Sequence, residues 1–330
     1  MMHPNEALVE RGTKDIPTMS PVEHFAGTEK FVKKAMKIQQ ERNGDFDITI
    51  DLEDGAPKGK EQDNLDMAIA MIKSDDNKFN RIGVRIHDPG NDWWFKEANY
   101  LREEVGDRLA YITLPKVLGA EDVIKMRTTL YRSGLSLHVI IETLEAFQNL
   151  DEILGVMNVD LVDFGLMDFT SAHQGILSRD VMQSPHQFTN PLMQYYKSQF
   201  VAKALAAGKV PAHNVTVDVG KKNLAYKDAA TARNDFGFLR MWSVFPDQID
   251  EIMRGMASAY NLLQLKAYSD ILCKAQEADW GPIGYKGKME DRATYRLYWQ
   301  TLKRARSVTG VEIPEEAEER FFKGVKMVGV

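Results

Sequence analysis

Residues 47–55 read Asp-Ile-Thr-Ile-Asp-Leu-Glu-Asp-Gly (DITIDLEDG). The first six, Asp47–Leu52, are Ile-rich and short, and they break off in carboxylates and a glycine, as a β-strand feeding a loop does. Similar segments recur at Ile82–Ile86 (IGVRI), Ala110–Leu114 (AYITL), Ser136–Ile141 (SLHVII) and Asp160–Gly165 (DLVDFG). Two more follow at Asn214–Val219 (NVTVDV) and Leu239–Phe245 (LRMWSVF). Several are apolar nearly throughout, which suits parallel strands covered on both faces. Most start about 25 to 35 residues apart, room for a strand, a loop and a crossover helix. Asp15–Val22 (DIPTMSPV), ahead of a helix at Lys30–Gln40, supplies an eighth candidate. Eight such units predict a TIM (β/α)8 barrel in an α/β chain. An open doubly wound sheet would place a G-x-G-x-x-G turn after its first strand, and none follows any strand here.

On this reading residues 1–270 form the barrel domain and residues 271–330 a C-terminal lid or oligomerisation extension. Thr170–Asn190 is an insertion rich in Ser, His, Gln and Pro, followed by a helix at Pro191–Ala207. Pro246–Ala275 predicts a helix that breaks near Asp279, and the Gly-rich stretch Gly281–Gly287 precedes a charged helix at Met289–Val308. A tail of this size is too small to hold a core by itself.

Composition narrows the function classes. The 330 residues are 44% hydrophobic and 27% charged, enough apolar material for a folded core. Forty-two basic against 48 acidic residues give −6 without a basic block, which argues against nucleic-acid binding. The single cysteine, Cys273, excludes a disulfide scaffold. No apolar run is long enough to span a bilayer, and Met1–Asp15 lacks the apolar core of a signal peptide. A cytoplasmic protein that binds no membrane is expected.

In a TIM barrel the chemistry sits where strands end. Strand two ends in Asp51, Glu53 and Asp54; strand three carries Arg85, followed by His87 and Asp88. Strand four ends in Pro115-Lys116, strand five in Glu142, and Asp168 follows strand six. Charges at five successive strand ends would converge on one cavity. Glu142 and Asp168 on adjacent strands suit a hard divalent cation completed by water and substrate oxygens. Zinc would need His or Cys at ligand spacing, which the sequence lacks. Arg85 and Lys116 would face substrate oxygens; the rival role for Lys116 is a Schiff-base nucleophile, disfavoured because neighbouring carboxylates keep an amine protonated.

Asp51–Gly55 (DLEDG), Val84–Ile86 (VRI), Leu114–Val117 (LPKV), Ile141–Thr143 (IET), Phe164–Phe169 (FGLMDF) and Gly287–Asp291 (GKMED) occur in that order. Together they resemble the citrate lyase β-subunit/malyl-CoA lyase group of the HpcH/HpaI aldolase superfamily, over about residues 45–305. The resemblance implies that Glu142 and Asp168 bind Mg²⁺, with Mn²⁺ as a substitute. It implies that Arg85 binds the 2-oxoacid or thioester oxygen and stabilises an enolate. Glu53 and Asp54, with Asp51 behind them, would line the site; Lys116 would lie near the metal carboxylates; Asp291 would be a lid acid/base reaching a neighbouring subunit. Trp242-Ser243 is shared with the malyl-CoA-lyase-like members and would contact substrate, whereas Phe245 stands where the group usually has histidine.

The implied activity is cleavage or formation of a 3-hydroxyacyl-CoA of malyl- or citramalyl-CoA type from a 2-oxoacid and an acyl-CoA, coenzyme A being part of the substrate. Alternatives are a CoA-thioester hydrolase, a CoA-free 2-oxoacid aldolase, or a non-catalytic acyl-binding subunit of a lyase complex. A homotrimer or dimer of trimers is implied.

Overall fold

The computed structural model describes residues 1–12, 14–131, 133–218 and 220–323. Eight parallel strands close into a barrel in sequence order: β1 (Val22–Ala26), β2 (Asp47–Asp51), β3 (Ile82–Arg85), β4 (Leu109–Leu114), β5 (Ser136–Ile141), β6 (Val159–Phe164), β7 (Val210–His213) and β8 (Arg240–Ser243). Helices follow the strands, and β1 pairs with β8 to seal the ring. The expected TIM-type α/β barrel is therefore the fold.

Strand periodicity sorts the side chains onto two faces. Ile48, Ile50, Val84, Ile112, Leu114, Val139 and Ile141 belong to the apolar layer under the helices and are fully buried. The alternate positions point into the barrel and include the charged and polar residues Glu23, Asp47, Thr49, Arg85, His138 and Asp163. Arg240 lies at their centre, its Nε donating to Glu23 at 3.0 Å and its Nη1 to Asp47 and to the Ser20 carbonyl. Burying a guanidinium is tolerable only with such partners, and these lie on or beside β1 and β2. Losing Arg240 would leave Glu23 buried without its cation, whereas Asp47 would keep Arg81 at 2.6 Å.

Two strands sit elsewhere than expected. The first is Val22–Ala26, not Asp15–Val22, because Pro17 and Pro21 lack the N–H groups a ladder needs. The seventh is Val210–His213, not Asn214–Val219; Pro211 makes this segment look like a breaker, yet its carbonyl still accepts the Leu239 N–H at 3.0 Å. Asn214 and Thr216 follow as buried loop residues, and Val219 lies outside the described residues. The insertion folds into the short helix His186–Thr189 before the helix Pro191–Ala206.

The chain divides into two compact units, Met19–Met256 and Met1–Thr18 with Ala257–Val330. The second has its own core of Leu265, Leu272, Trp280, Tyr295, Trp299 and Phe321, joined by Ala7 and Leu8. The tail thus gains the missing part of its core from the first residues of the chain. His3 Nε2 lies 2.9 Å from the Phe321 carbonyl, Trp280 donates to the Met2 carbonyl at 3.1 Å, and Trp299 to Asn5 at 2.9 Å. The break after Pro246–Ala257 falls before the helix Leu262–Glu277, earlier than Asp279. A hairpin, Ile283–Tyr285 with Lys288–Glu290, precedes the helix Arg292–Arg306. No helix among the described residues is long and apolar enough to cross a membrane.

Candidate active site

Register brings the charged strand ends together. Asp51 stands beside Arg85 across β2 and β3, and takes Arg85 Nε at 2.8 Å and Nη2 at 2.5 Å. Backbone N–H groups of Glu53 and Gly55 also donate to Asp51, at 3.1 and 3.0 Å. A Cβ at position 55 would overlap the Asp51 carboxylate, so the glycine of DLEDG makes this turn possible. Asp51 accordingly orients Arg85.

Glu53 lies 3.1 Å from Arg85 Nη1 and also takes Lys116 Nζ, which donates to Asp54 at 2.9 Å as well. Burial raises the Glu53 carboxyl above its ordinary range, partly offset by Arg85 and Lys116. Burial works against a charged Lys116, but hydrogen bonds to Glu53 and Asp54 outweigh it and keep the amine a firm cation. Pairing with two carboxylates weighs against the Schiff-base reading, which needs a neutral amine.

Lys116 has a second role through its backbone. Its φ of 48° lies in the left-handed region, unusual for lysine. In that conformation its N–H donates to Glu142 Oε1 at 2.8 Å. Glu142 is only 3% exposed, and burial lifts its carboxyl to about 8; Arg85 counters this, while Asp168 and Glu53 add to it. Glycine 165 leaves the space that the carboxylate fills: a Cβ there would meet Glu142 Oε2 at 2.5 Å. Gly165→Ala should therefore displace Glu142 and weaken divalent-ion affinity about 10- to 100-fold, the range for losing a group that orients a ligand. Titration calorimetry with Mg²⁺ measures this, and unchanged affinity would refute the cradle.

Glu142, Asp168 and Lys116 line one cleft of about 550 Å³ together with Asp88, Thr143 and Ser171. The donor set of Glu142 and Asp168 offers only carboxylate oxygen, and both acids open on the same cleft. Such a pair fits Mg²⁺ or Mn²⁺. Another trio, Glu23, His138 and Asp163, lies inside the barrel with ligand atoms within 4.8 Å of one another. There Arg240, 3.0 Å from Glu23, already supplies positive charge.

Other expected residues are placed differently. The Trp242 indole donates to Asp163 at 2.6 Å and packs on Phe25 at 4.6 Å, and Phe25 lies 5.5 Å below the Arg85 guanidinium. Ser243 is fully buried with its hydroxyl 2.6 Å from His24 Nδ1, on the strand face opposite Trp242. Asp291 belongs to the second unit, where it caps the helix Arg292–Arg306 by accepting from Ala293 at 2.9 Å and Thr294 at 3.4 Å. Phe25 does not stand out in the sequence, because the segment that reads as the first strand, Asp15–Val22, ends before it.

Buried carboxylates and a guanidinium thus gather at the strand ends of the barrel, the end at which TIM-barrel enzymes carry their chemistry. The family model for HpcH/HpaI aldolase/citrate lyase matches residues 33–234, and the chain belongs to that family. A citrate lyase of Burkholderia xenovorans LB400, known from its crystal structure, is 35% identical; it superposes with a TM-score of 0.88 over 97% of this chain and 100% of that one. The L-malyl-CoA/beta-methylmalyl-CoA lyase of Cereibacter sphaeroides is 24% identical over 276 residues, 76% of this chain and 84% of the relative. The CitE protein of Mycobacterium tuberculosis, solved with magnesium, acetoacetate and coenzyme A, shares the fold at TM-score 0.69 and 18% identity, over 87% of this chain and 98% of that one. The chain is a carbon–carbon lyase.

Proposed function

We propose that this lyase cleaves or forms a 3-hydroxyacyl-CoA of malyl- or citramalyl-CoA type, joining or releasing a 2-oxoacid and an acyl-CoA in a divalent-metal-dependent reaction. The observation that carries the reading is Glu142: a buried acid, locked by the Lys116 N–H, in the same cleft as Asp168. Lyases acting on malyl-CoA and a CitE protein holding magnesium and coenzyme A, among its relatives and fold neighbours, support the same choice.

Glu142 and Asp168 would hold the ion, which when bound polarises the 2-oxoacid carbonyl. Of the five donors of a guanidinium, Arg85 spends two on Asp51 and turns Nη1 to Glu53 at 3.1 Å. Those left over would face the enolate oxygen of the acyl partner, preorganised charge where charge develops. Lys116 ties down Asp54 and one oxygen of Glu53, whose other oxygen faces Arg85 Nη1 at 3.1 Å. Asp291 would return a proton to the enolate carbon from a neighbouring subunit of a homotrimer or dimer of trimers, after leaving its helix cap.

Release of glyoxylate from malyl-CoA or of pyruvate from citramalyl-CoA should require Mg²⁺, stop with a chelator, and be lost in Glu142→Ala and Asp168→Ala. Full turnover in either variant would refute the metal assignment. Turnover of the free hydroxy acids but not their thioesters would make the enzyme a CoA-free aldolase instead.

A further inference from the structure

His87 follows Arg85 by two residues, where β3 gives way to its loop. Its ring Nδ1 lies 2.7 Å from Glu97 Oε1, and its backbone N–H donates to Glu97 Oε2 at 2.9 Å. Glu97 sits on the helix Trp93–Val105 and is fully buried. Both carboxylate oxygens are thus committed to one residue, which fixes the ring plane. With Nδ1–H donating to the carboxylate, the lone pair is left on Nε2. Nε2 makes no hydrogen bond among the described residues, and the side chain keeps 13% of its surface exposed. The next three residues, Asp88, Pro89 and Gly90, line the cleft that holds Glu142, Asp168 and Lys116. An imidazole anchored at one nitrogen by a buried carboxylate and open at the other is the arrangement that makes histidine a base.

We infer that His87 is a catalytic proton acceptor of the cleavage reaction and that Glu97 is its positioning residue, an inference that rests on the lyase reading above. In the cleavage direction the Nε2 lone pair takes the proton of the substrate's β-hydroxyl. The O–H electron pair becomes the π bond of the new carbonyl, the carbon–carbon bond breaks, and its pair passes into the enolate of the departing partner. The imidazolium then gives its proton to solvent, and the enolate carbon receives one in turn. Synthesis runs these steps backwards, and neither direction needs an oxidant or reductant.

The charged groups around the ring are Glu97 from its helix, Glu61 from the helix Glu61–Lys73 and Glu53 from the loop after β2; Asp88 is next along the chain. The Glu97 hydrogen bond is the main influence raising the ring above its ordinary range, with burial opposing it.

His87→Gln should lower kcat about 100-fold or more, the range for losing a general base, with KM changed less than about threefold. Glu97→Gln keeps the imidazole but removes the charge that raises it. The acid limb of its kcat/KM profile should therefore move to lower pH, and the His87 titration followed by NMR should move with it. Turnover of His87→Gln within about threefold of the parent would overturn the inference, as would an acid limb that stays fixed while the NMR titration shifts. Glu142→Ala in the same assay separates the two readings. If it is inactive while His87→Gln is unimpaired, only the proton acceptor is wrong; if it is fully active, the metal reading is wrong.

Discussion

Arg85→Lys should lower kcat/KM for carbon–carbon cleavage about 100- to 1,000-fold, the range for losing one preorganised donor to a developing oxyanion. Lysine keeps the charge but not the fork. The native guanidinium grips Asp51 with Nε and Nη2, at 2.8 and 2.5 Å, and faces Glu53 with Nη1 at 3.1 Å. An ammonium satisfies one or two of these acids as a point charge and leaves nothing aimed at the substrate. The loss should appear mostly in kcat, because the oxygen in question bears its charge only in the transition state. Arg85→Ala should in addition destabilise the fold by about 3–5 kcal/mol, the range for breaking a buried pair and leaving its partner charged. A lysine variant with kcat within about fivefold of the parent would show that the fork has no part in charge stabilisation.

Thermal melts without metal should show stability falling as pH rises from about 4.5 to about 8, the interval set by Glu142. The sign follows from its carboxyl being pushed up in the folded state. The fold accommodates the protonated form better than the unfolded chain does, so this group's favourable contribution is complete below about 4.5. It is lost as the folded carboxyl ionises, and above about 8 both states are charged and the decline ends. The full effect is on the order of a few kcal/mol. Mg²⁺ should reverse it, so the gain in Tm on adding the ion should be much larger near pH 8.5 than near pH 5.5. Glu142→Gln should flatten the slope and remove most of the gain. An equal Mg²⁺ gain at both pH values, or a full gain in Glu142→Gln, would contradict the assignment of Glu142 as a ligand.

What could be read from the chain, and what could not, divides along physical lines. Strands such as Asp47–Asp51 and Ser136–Ile141 were legible because their helix-facing positions carry Ile and Val. The first strand was not, because VEHFA faces a polar interior: Glu23 is buried against Arg240, a pair that no hydrophobicity pattern reveals. Pro211 hid the seventh in the same way, since a single missing donor is tolerated where the carbonyl still pairs. In the site, Arg85, Lys116 and Glu142 announced themselves as charges ending apolar runs. The left-handed backbone of Lys116 that holds Glu142, and the space left by Gly165, are geometric facts that residue types do not encode. Asp291 stood out by its motif, but its helix-capping engagement emerged only from the fold.

The interleaving of Met2, His3 and Asn5 with Trp280, Trp299 and Phe321 has a consequence for biosynthesis. During translation these first residues leave the ribosome with nothing to dock on until the last quarter of the chain emerges. The continuous stretch Met19–Met256 is free to close meanwhile. Deleting Met2–Asn5 would therefore be felt almost three hundred residues further along, in the packing around Trp299.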